Sequence, residues 1–167
     1  MPAGSTYTPI ATTTLGSAAP TVTFSSISGS YTDLVYIMNI KGVSANYPIL
    51  RFNNDTGTNY SRTVVTGDGS TAVSERRTNQ NYMALNYNAV TNTSNFNYNG
   101  IIHVQNYSNA TTFKTALYRA NNAATGTDAG VGLWRSTSAI TQIDITSHDG
   151  SNFAIGSTFT LYGIAAA

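Results

Sequence analysis

Cysteine and charged residues are what this sequence has least of. The 167 residues include no cysteine, and only 9% of them are Asp, Glu, Lys or Arg, whereas a soluble globular domain typically carries about 25%. The absence of cysteine excludes disulfides and thiolate chemistry, so stability must come from packing, backbone pairing or subunit assembly. The low charge favours assembly, because a small net charge promotes association.

Clustered basic charge and long apolar runs are also missing. The chain has eight basic residues and a net charge of +1, which gives no electrostatic footprint for nucleic acid. No apolar run approaches the ~20 residues of a membrane span, and the amino-terminal residues lack the basic and apolar regions of a signal peptide. We therefore expect a soluble chain that is made in a cytoplasm and binds neither nucleic acid nor a membrane.

Neutral hydrogen-bonding side chains take the place of the missing charges. The chain has 26 Thr, 17 Ser, 18 Asn and 14 Gly; threonine favours strands, whereas the other three favour turns. Strand-forming runs bounded by such turns occupy residues 21–27, 33–42, 49–54, 60–67, 82–90, 96–107, 111–122, 130–136, 139–147 and 157–164. About ten short strands in one domain predict an all-β fold, a single-domain antiparallel β-sandwich of the jelly-roll type.

The first 20 residues fit two interpretations. They contain Pro2, Pro9 and Pro20, and proline within a sheet is confined to edges, strand starts and bulges. We expect residues 1–20 to form an extended amino-terminal arm or an edge strand, and residues 21–167 to form the jelly-roll domain. An arm could order against a neighbouring subunit, in which case its deletion would weaken association and leave the β structure intact.

The stretch ITSHDGSNF places Ser147, His148 and Asp149 side by side. A Ser-His-Asp triad needs side chains that converge from separate backbone positions, whereas neighbours along a strand point to opposite faces. The dipeptide of Asp149 and Gly150 is a strong turn signal, because glycine reaches positive φ without steric cost. We therefore interpret these residues as the turn before the last strand.

Few side chains are suited to acid–base chemistry or to holding a metal ion. The chain has one glutamate, and four of its six aspartates are interpreted as turn formers, namely Asp55, Asp68, Asp128 and Asp149. His103 is expected to be half-buried in a strand, and no third zinc ligand stands at a recognisable spacing. The loops 53–59 and 66–70 offer oxygen atoms to calcium without the full spacing of a calcium loop. We predict no catalytic residue, no cofactor and no metal site.

Aromatic residues are the best candidates for contacts with a ligand. Eleven tyrosines and one tryptophan stand among many asparagines, and flat rings beside amides suit sugars, although tyrosine is also an ordinary strand residue. The possible contacts with a glycan or a partner are Tyr82, Tyr87, Tyr98 and Trp134. The alternative for Trp134 is a buried side chain whose neighbour, Arg135, points outward.

Four segments carry a resemblance to a known group of proteins. They are TYTPIATTTLGSAAPTVTFSSISGSYTDLVYIMNI, LRFNNDTGTNYSRTVVTGDGS, VGLWRSTSAITQIDI and FAIGSTFTLYGI. Together they resemble small jelly-roll virion structural proteins of tailed bacteriophages, including cyanophages: capsid decoration or cement proteins and tail-fibre modules. The likeness spans nearly the whole chain, and its most specific elements are FSSI followed by YTDL, the RFNND hairpin, GLWRS and the ending GSTFTLYGI.

The resemblance implies a non-enzymatic virion component with no catalytic residues to carry over. The leading expectation is a capsid decoration or cement protein that binds the major capsid protein on the outer head surface, as a homotrimer. No long shaft, heptad repeat or collagen-like repeat is present to form a fibre. The alternative is a tail-fibre or receptor-binding module that recognises host surface glycans. A polysaccharide hydrolase is the third hypothesis, and it would need two aspartates about 5 to 9 Å apart in a groove.

Overall fold

The fold is all β, as the sequence predicts. The computed structural model describes residues 6–42, 47–87 and 97–165, which contain twelve strands and no helix. The strands are β1 (Tyr7–Thr14), β2 (Thr21–Phe24), β3 (Asp33–Ile40), β4 (Pro48–Phe52), β5 (Tyr60–Gly67), β6 (Ala72–Gln80), β7 (Met83–Ala84), β8 (Tyr98–Gln105), β9 (Lys114–Asn122), β10 (Gly126–Trp134), β11 (Ile143–Ser147) and β12 (Thr158–Ile164). Residues 1–5, 88–90, 96 and 166–167, which the predicted elements include, lie outside the described ranges.

The strands form two antiparallel sheets of different widths. The larger has the order β1-β12-β3-β8-β9-β10-β5-β6, and the smaller has the order β2-β11-β4-β7. Side chains alternate between core and surface: in β8, Tyr98, Ile102 and Val104 are buried, whereas His103 between them is half-buried, as expected. Each fully buried large apolar side chain contributes about 1.5–3 kcal/mol, so the core between the two sheets is the main source of stability.

The chain passes between the sheets in the manner of a jelly roll. When the outer strands β1 and β12 at one end of the large sheet and the inserted hairpin β8–β9 are set aside, eight strands remain, in the orders β2-β11-β4-β7 and β3-β10-β5-β6. Of the four strands set aside, β1 forms the sheet edge and β12 lies between β1 and β3. Two four-stranded sheets with these crossings form the double Greek key of a jelly roll. The predicted single-domain β-sandwich is therefore the observed architecture.

The amino-terminal segment is part of the sandwich. Strand β1 pairs with β12 along its length, with Thr12 opposite Thr160, and the Leu15 side chain that follows it is buried. Of the two interpretations of this segment, the edge strand is the one observed over residues 7–14. An arm that could be deleted without affecting the β structure is therefore not what these residues form.

The small sheet leaves the inner face of one edge of the large sheet uncovered. The small sheet ends at β7, which lies against β5, while β6 continues the large sheet beyond it. Opposed residues of an antiparallel pair point to the same face. Glu75 and Arg77 of β6 lie opposite Val64 and Arg62 of β5, and so they face inward at a place that no strand of the small sheet covers.

Candidate functional site

A cleft of about 350 Å³ lies where the uncovered edge of the large sheet meets the end of the small sheet. Strands β5 and β6 form its floor, and the segments that flank β7 form one side. Residues at the start of β4 and just after β11 form the other side. Side chains from five separate parts of the chain therefore line the cleft, and the two sheets hold them in place.

Aromatic rings from both of these sides are in contact and together form an aromatic wall of the cleft. The Tyr47 and His148 rings are stacked, with centroids 4.5 Å apart and an angle of 20° between their planes. The Tyr82 ring meets His148 edge-on at 5.3 Å, and its hydroxyl is 3.0 Å from His148 Nε2. The backbone fixes this cluster, because the His148 N–H donates to the Tyr47 carbonyl at 3.0 Å.

The Tyr47 hydroxyl of this wall is neutral at ordinary pH. Burial, and to a smaller extent the hydrogen-bonded Tyr82, raises the pKa of Tyr47 to about 12. The opposing effect of the Arg62 and Arg77 charges is smaller. Tyr47 therefore keeps its proton, and the chain Tyr47–Tyr82–His148 presents hydrogen-bonding groups beside flat ring faces.

Two arginines and one glutamate form the floor. Glu75 accepts a hydrogen bond from Arg62 at 3.0 Å and a second one from Arg77. Arg62 also donates to the carbonyl oxygens of Ala84 and Asn86, so it fastens the segment around β7 to β5. Two guanidinium groups and one carboxylate leave one net positive charge in the cleft.

The two arginines differ in exposure and in their remaining hydrogen-bonding capacity. The side chain of Arg62 is 11% exposed, whereas that of Arg77 is 61% exposed. Arg77 bonds Glu75 through Nε, and within the described ranges its two terminal nitrogens have no hydrogen-bond partner. Arg77 is thus the cation of this cleft that remains available to a ligand.

The four predicted contact residues separate into two pairs. Tyr82 and Tyr87 line the cleft, whereas Tyr98 and Trp134 are buried in the core. The Tyr98 hydroxyl donates to the Leu85 carbonyl at 2.7 Å, and the strands β8 and β10 direct both buried side chains inward. A surface contact is therefore excluded for Tyr98 and Trp134, while glycan contact by Tyr82 and Tyr87 stays a prediction.

The alternative for Trp134 is the one observed. Its side chain is 2% exposed, and its indole N–H donates to Asp55 Oδ2 at 2.6 Å. Arg135 next to it turns away from the core, where it donates to the Thr58 carbonyl at 2.9 Å and to Asn79 Oδ1 at 3.1 Å. These two residues join β10 to the hairpin between β4 and β5.

The Ser-His-Asp stretch is a turn. The Gly150 N–H donates to the Ser147 carbonyl at 3.0 Å, and Gly150 has a φ of 79°. The Ser147 hydroxyl bonds Asp149 at 3.4 Å, whereas the His148 ring faces Tyr47 and Tyr82. The interpretation as a turn before the last strand is confirmed, and the same turn delivers His148 to the cleft.

Three of the four aspartates predicted to form turns do so. Asp55, Asp68 and Asp149 each accept a backbone N–H two residues further along the chain. The prediction is wrong for Asp128, which lies inside β10 with its side chain 1% exposed and accepts the Tyr87 N–H at 2.8 Å. Burial raises the pKa of Asp128, and hydrogen bonds offset part of that rise.

Sequence reasoning missed most of the cleft. Tyr47, Arg62, Arg77 and His148 were not identified as one site, because their positions converge only through the sheet topology. The signal that existed was β6 itself, whose sequence AVSERRTNQ is polar on both faces. A strand of that kind fits an edge strand with an uncovered inner face.

The described ranges contain neither a metal-binding cluster nor a membrane-spanning helix. There, no three His, Asp or Glu side chains come together in a way that could hold a metal ion. No helix in this part of the chain is long and apolar enough to cross a membrane.

Comparison with solved structures shows a weak similarity to an alginate lyase. No family model matches the chain, and no curated protein matches it significantly. A solved structure of a mutant of alginate lyase Aly36B with an alginate tetrasaccharide is similar over 82% of this chain and 72% of the lyase chain. The identity is 9% and the TM-score is 0.31, and a likeness of this size carries no functional argument.

Proposed function

We propose that this chain is a non-enzymatic structural protein of a bacteriophage virion, a capsid decoration or cement protein that stabilises the shell. The observation that carries the proposal is where the four resembling segments lie. They supply β1 to β3, most of β4, β5, part of β10, part of β11 and β12, and so they make up most of the jelly-roll framework. The buried contact between Asp55 and Trp134 joins two of them.

The outer face of the large sheet suits attachment to a repeating lattice. It carries exposed apolar side chains from three strands, namely Ile37, Leu117 and Val131. Asparagine side chains are hydrogen-bonded across neighbouring strands of the same face, namely Asn39, Asn99 and Asn121. A homotrimer would place three such faces on the major capsid protein at once, and multivalent placement strengthens modest contacts.

Cryo-electron microscopy of the particle that contains the chain tests this proposal. We expect density on the outer capsid surface at three-fold or quasi-three-fold positions, with the outer face of the large sheet against the shell. Density only at the tail would contradict decoration of the head and favour the second candidate. Density at neither place would contradict the virion assignment itself.

The cleft favours a second candidate function, a tail-fibre or receptor-binding module that recognises host surface glycans. Its aromatic wall of Tyr47, Tyr82 and His148 offers flat faces and hydroxyl groups, which suit the faces and hydroxyls of a sugar. The cleft is formed largely by residues outside the four resembling segments, such as Arg77, Tyr87 and His148. The four segments thus form the framework, and other residues form the cleft. This division suits a module that recognises a receptor.

The state of the carboxylates supports a non-enzymatic role. Glu75, the carboxylate in the cleft lining, is held by two arginines. Asp55, Asp68 and Asp149 accept hydrogen bonds within turns, Asp33 bonds His103, and Asp144 bonds Thr23 and Gln142. Burial raises the pKa of Asp128, but this residue is 1% exposed and does not line the cleft. A hydrolase would instead need one carboxyl group poised as an acid and another free to act as a base or nucleophile.

A further inference from the structure

We infer that the cleft binds an acidic saccharide and that Arg77 receives the carboxylate of the sugar. This inference rests on the second candidate function, the recognition of a glycan, and it adds the chemical class of the ligand. Three features carry it: a cation with unused donors, a net positive floor, and an aromatic wall that lines the same cleft.

Arg77 is arranged to bind a carboxylate. Arg77 bonds Glu75 through Nε, and its two terminal nitrogens have no hydrogen-bond partner in the described part of the chain. A guanidinium group matches a carboxylate in a planar, two-point arrangement, and Arg loses little rotational freedom when it is already held. Glu75 provides that hold, since its own side chain is only 13% exposed.

The charge of the floor selects for an anion. Glu75 shares its charge between Arg62 and Arg77, so the two cations outnumber the one carboxylate in this part of the cleft. Glu75 repels an incoming carboxylate, but the charges of Arg62 and Arg77 outweigh this repulsion. The carboxylate therefore meets a net positive surface.

The aromatic wall and the size of the cleft point to a sugar ring. Stacking of Tyr47 on His148, with Tyr82 edge-on, holds the rings in place before a ligand arrives. A volume of about 350 Å³ lies at the small end of ordinary ligand sites. The cleft would therefore hold a terminal sugar or a short segment rather than a long stretch of polysaccharide.

The matched control is the neighbouring arginine of β6. Arg76 lies opposite Thr63 on the outer face of the sheet, whereas Arg77 lies opposite Arg62 on the inner face. The substitutions Arg77→Gln and Arg76→Gln therefore remove the same charge from adjacent positions on opposite faces. Both sites are exposed, so neither change should unfold the chain, and circular dichroism melting curves check this.

The experiment uses the full chain on a glycan array with uronic-acid and sialic-acid sugars beside neutral counterparts. The best acidic sugar is then titrated in solution together with its methyl ester, which keeps the ring and removes the charge. We expect the acid to bind more tightly than the ester, and Arg77→Gln to weaken acid binding about 10-fold or more. Arg76→Gln should change it by less than about 2-fold.

Each of the other outcomes would contradict one specific part of the inference. Equal binding of acid and ester, unchanged by Arg77→Gln, would leave a sugar site and overturn the acidic ligand. Acid binding that Arg76→Gln weakens as much as Arg77→Gln would overturn the role of Arg77 in the cleft. The absence of binding to every sugar on the array would overturn both this inference and the glycan-binding function.

Discussion

At the residue scale, Asp55 shows how one carboxylate stabilises a large part of the framework. It accepts hydrogen bonds from the Trp134 indole at 2.6 Å, Asn59 Nδ2 at 2.9 Å and the Gly57 N–H at 2.8 Å. We expect Asp55→Ala to lower the free energy of unfolding by about 2–3 kcal/mol, because it leaves a buried indole N–H without an acceptor. Urea denaturation followed by circular dichroism measures this change.

The pH dependence of the same residue provides a second measurement. Burial opposes ionisation of Asp55, but the hydrogen bonds from Trp134, Asn59 and Gly57 prevail and lower its pKa below the usual 3.8. A lowered pKa in the folded state stabilises the fold above about pH 4, and this contribution is lost as the pH falls through the lowered value. The difference in stability between wild type and Asp55→Ala should therefore shrink from pH 6 to below about pH 3.

A double-mutant cycle serves as the control for this effect. Trp134→Phe removes the indole N–H. In that background, the decrease in the free energy of unfolding caused by Asp55→Ala should be smaller by about 1–2 kcal/mol. Equal costs in both backgrounds would show that the Trp134 hydrogen bond contributes nothing and that Asp55 acts only within its own hairpin.

At the element scale, β1 is a structural strand of the large sheet. It covers one edge of β12, and Ile10 and Ala11 pack against the core. Removal of residues 1–14 removes one or two buried apolar side chains. It should lower the free energy of unfolding by roughly 1.5–3 kcal/mol for each of them. It should also promote aggregation, because it exposes the edge of β12. Urea denaturation and light scattering measure the two effects.

Removal of residues 1–5 is the companion variant, since it leaves β1 whole. It should shift the denaturation midpoint less than removal of residues 1–14. If the longer deletion left both stability and solution behaviour unchanged, β1 would be dispensable, and the earlier expectation of an arm that can be deleted would return.

The same elements show what could be predicted from the sequence. All ten runs identified from alternating and β-branched residues overlap observed strands, because burial of one face imposes a two-residue period. Strand β6 was missed because its inner face is uncovered, so no apolar period marks it. The cleft could not be predicted for a related reason: Tyr47, Arg77 and His148 come together only because the small sheet ends at β7, which lies against β5, while β6 continues the large sheet.

At the scale of the whole molecule, few charges contribute to the stability of the fold, whereas the proposed binding depends on charge. Salt should therefore affect the two differently. Two ion pairs are present in the described ranges, Arg62–Glu75 and Arg77–Glu75. The first is largely buried and is therefore screened little by salt, and exposed pairs contribute at most about 1 kcal/mol each. Raising NaCl from about 0.02 to 0.5 M shortens the range of charge interactions several-fold. The free energy of unfolding should therefore change by less than about 1 kcal/mol, whereas binding of an acidic sugar should weaken clearly.

Both quantities can be measured on one preparation, by urea denaturation and by titration with the acidic sugar at each salt concentration. The two responses should differ because packing between the sheets does not depend on ionic strength, whereas the attraction between the sugar carboxylate and the exposed Arg77 does. The neutral methyl ester is the internal control and should bind equally at both salt concentrations. Binding of the acid that does not change with salt would mean that the Arg77 charge does not attract it. A large loss of stability in salt would mean that the few charges contribute more to the fold than packing suggests.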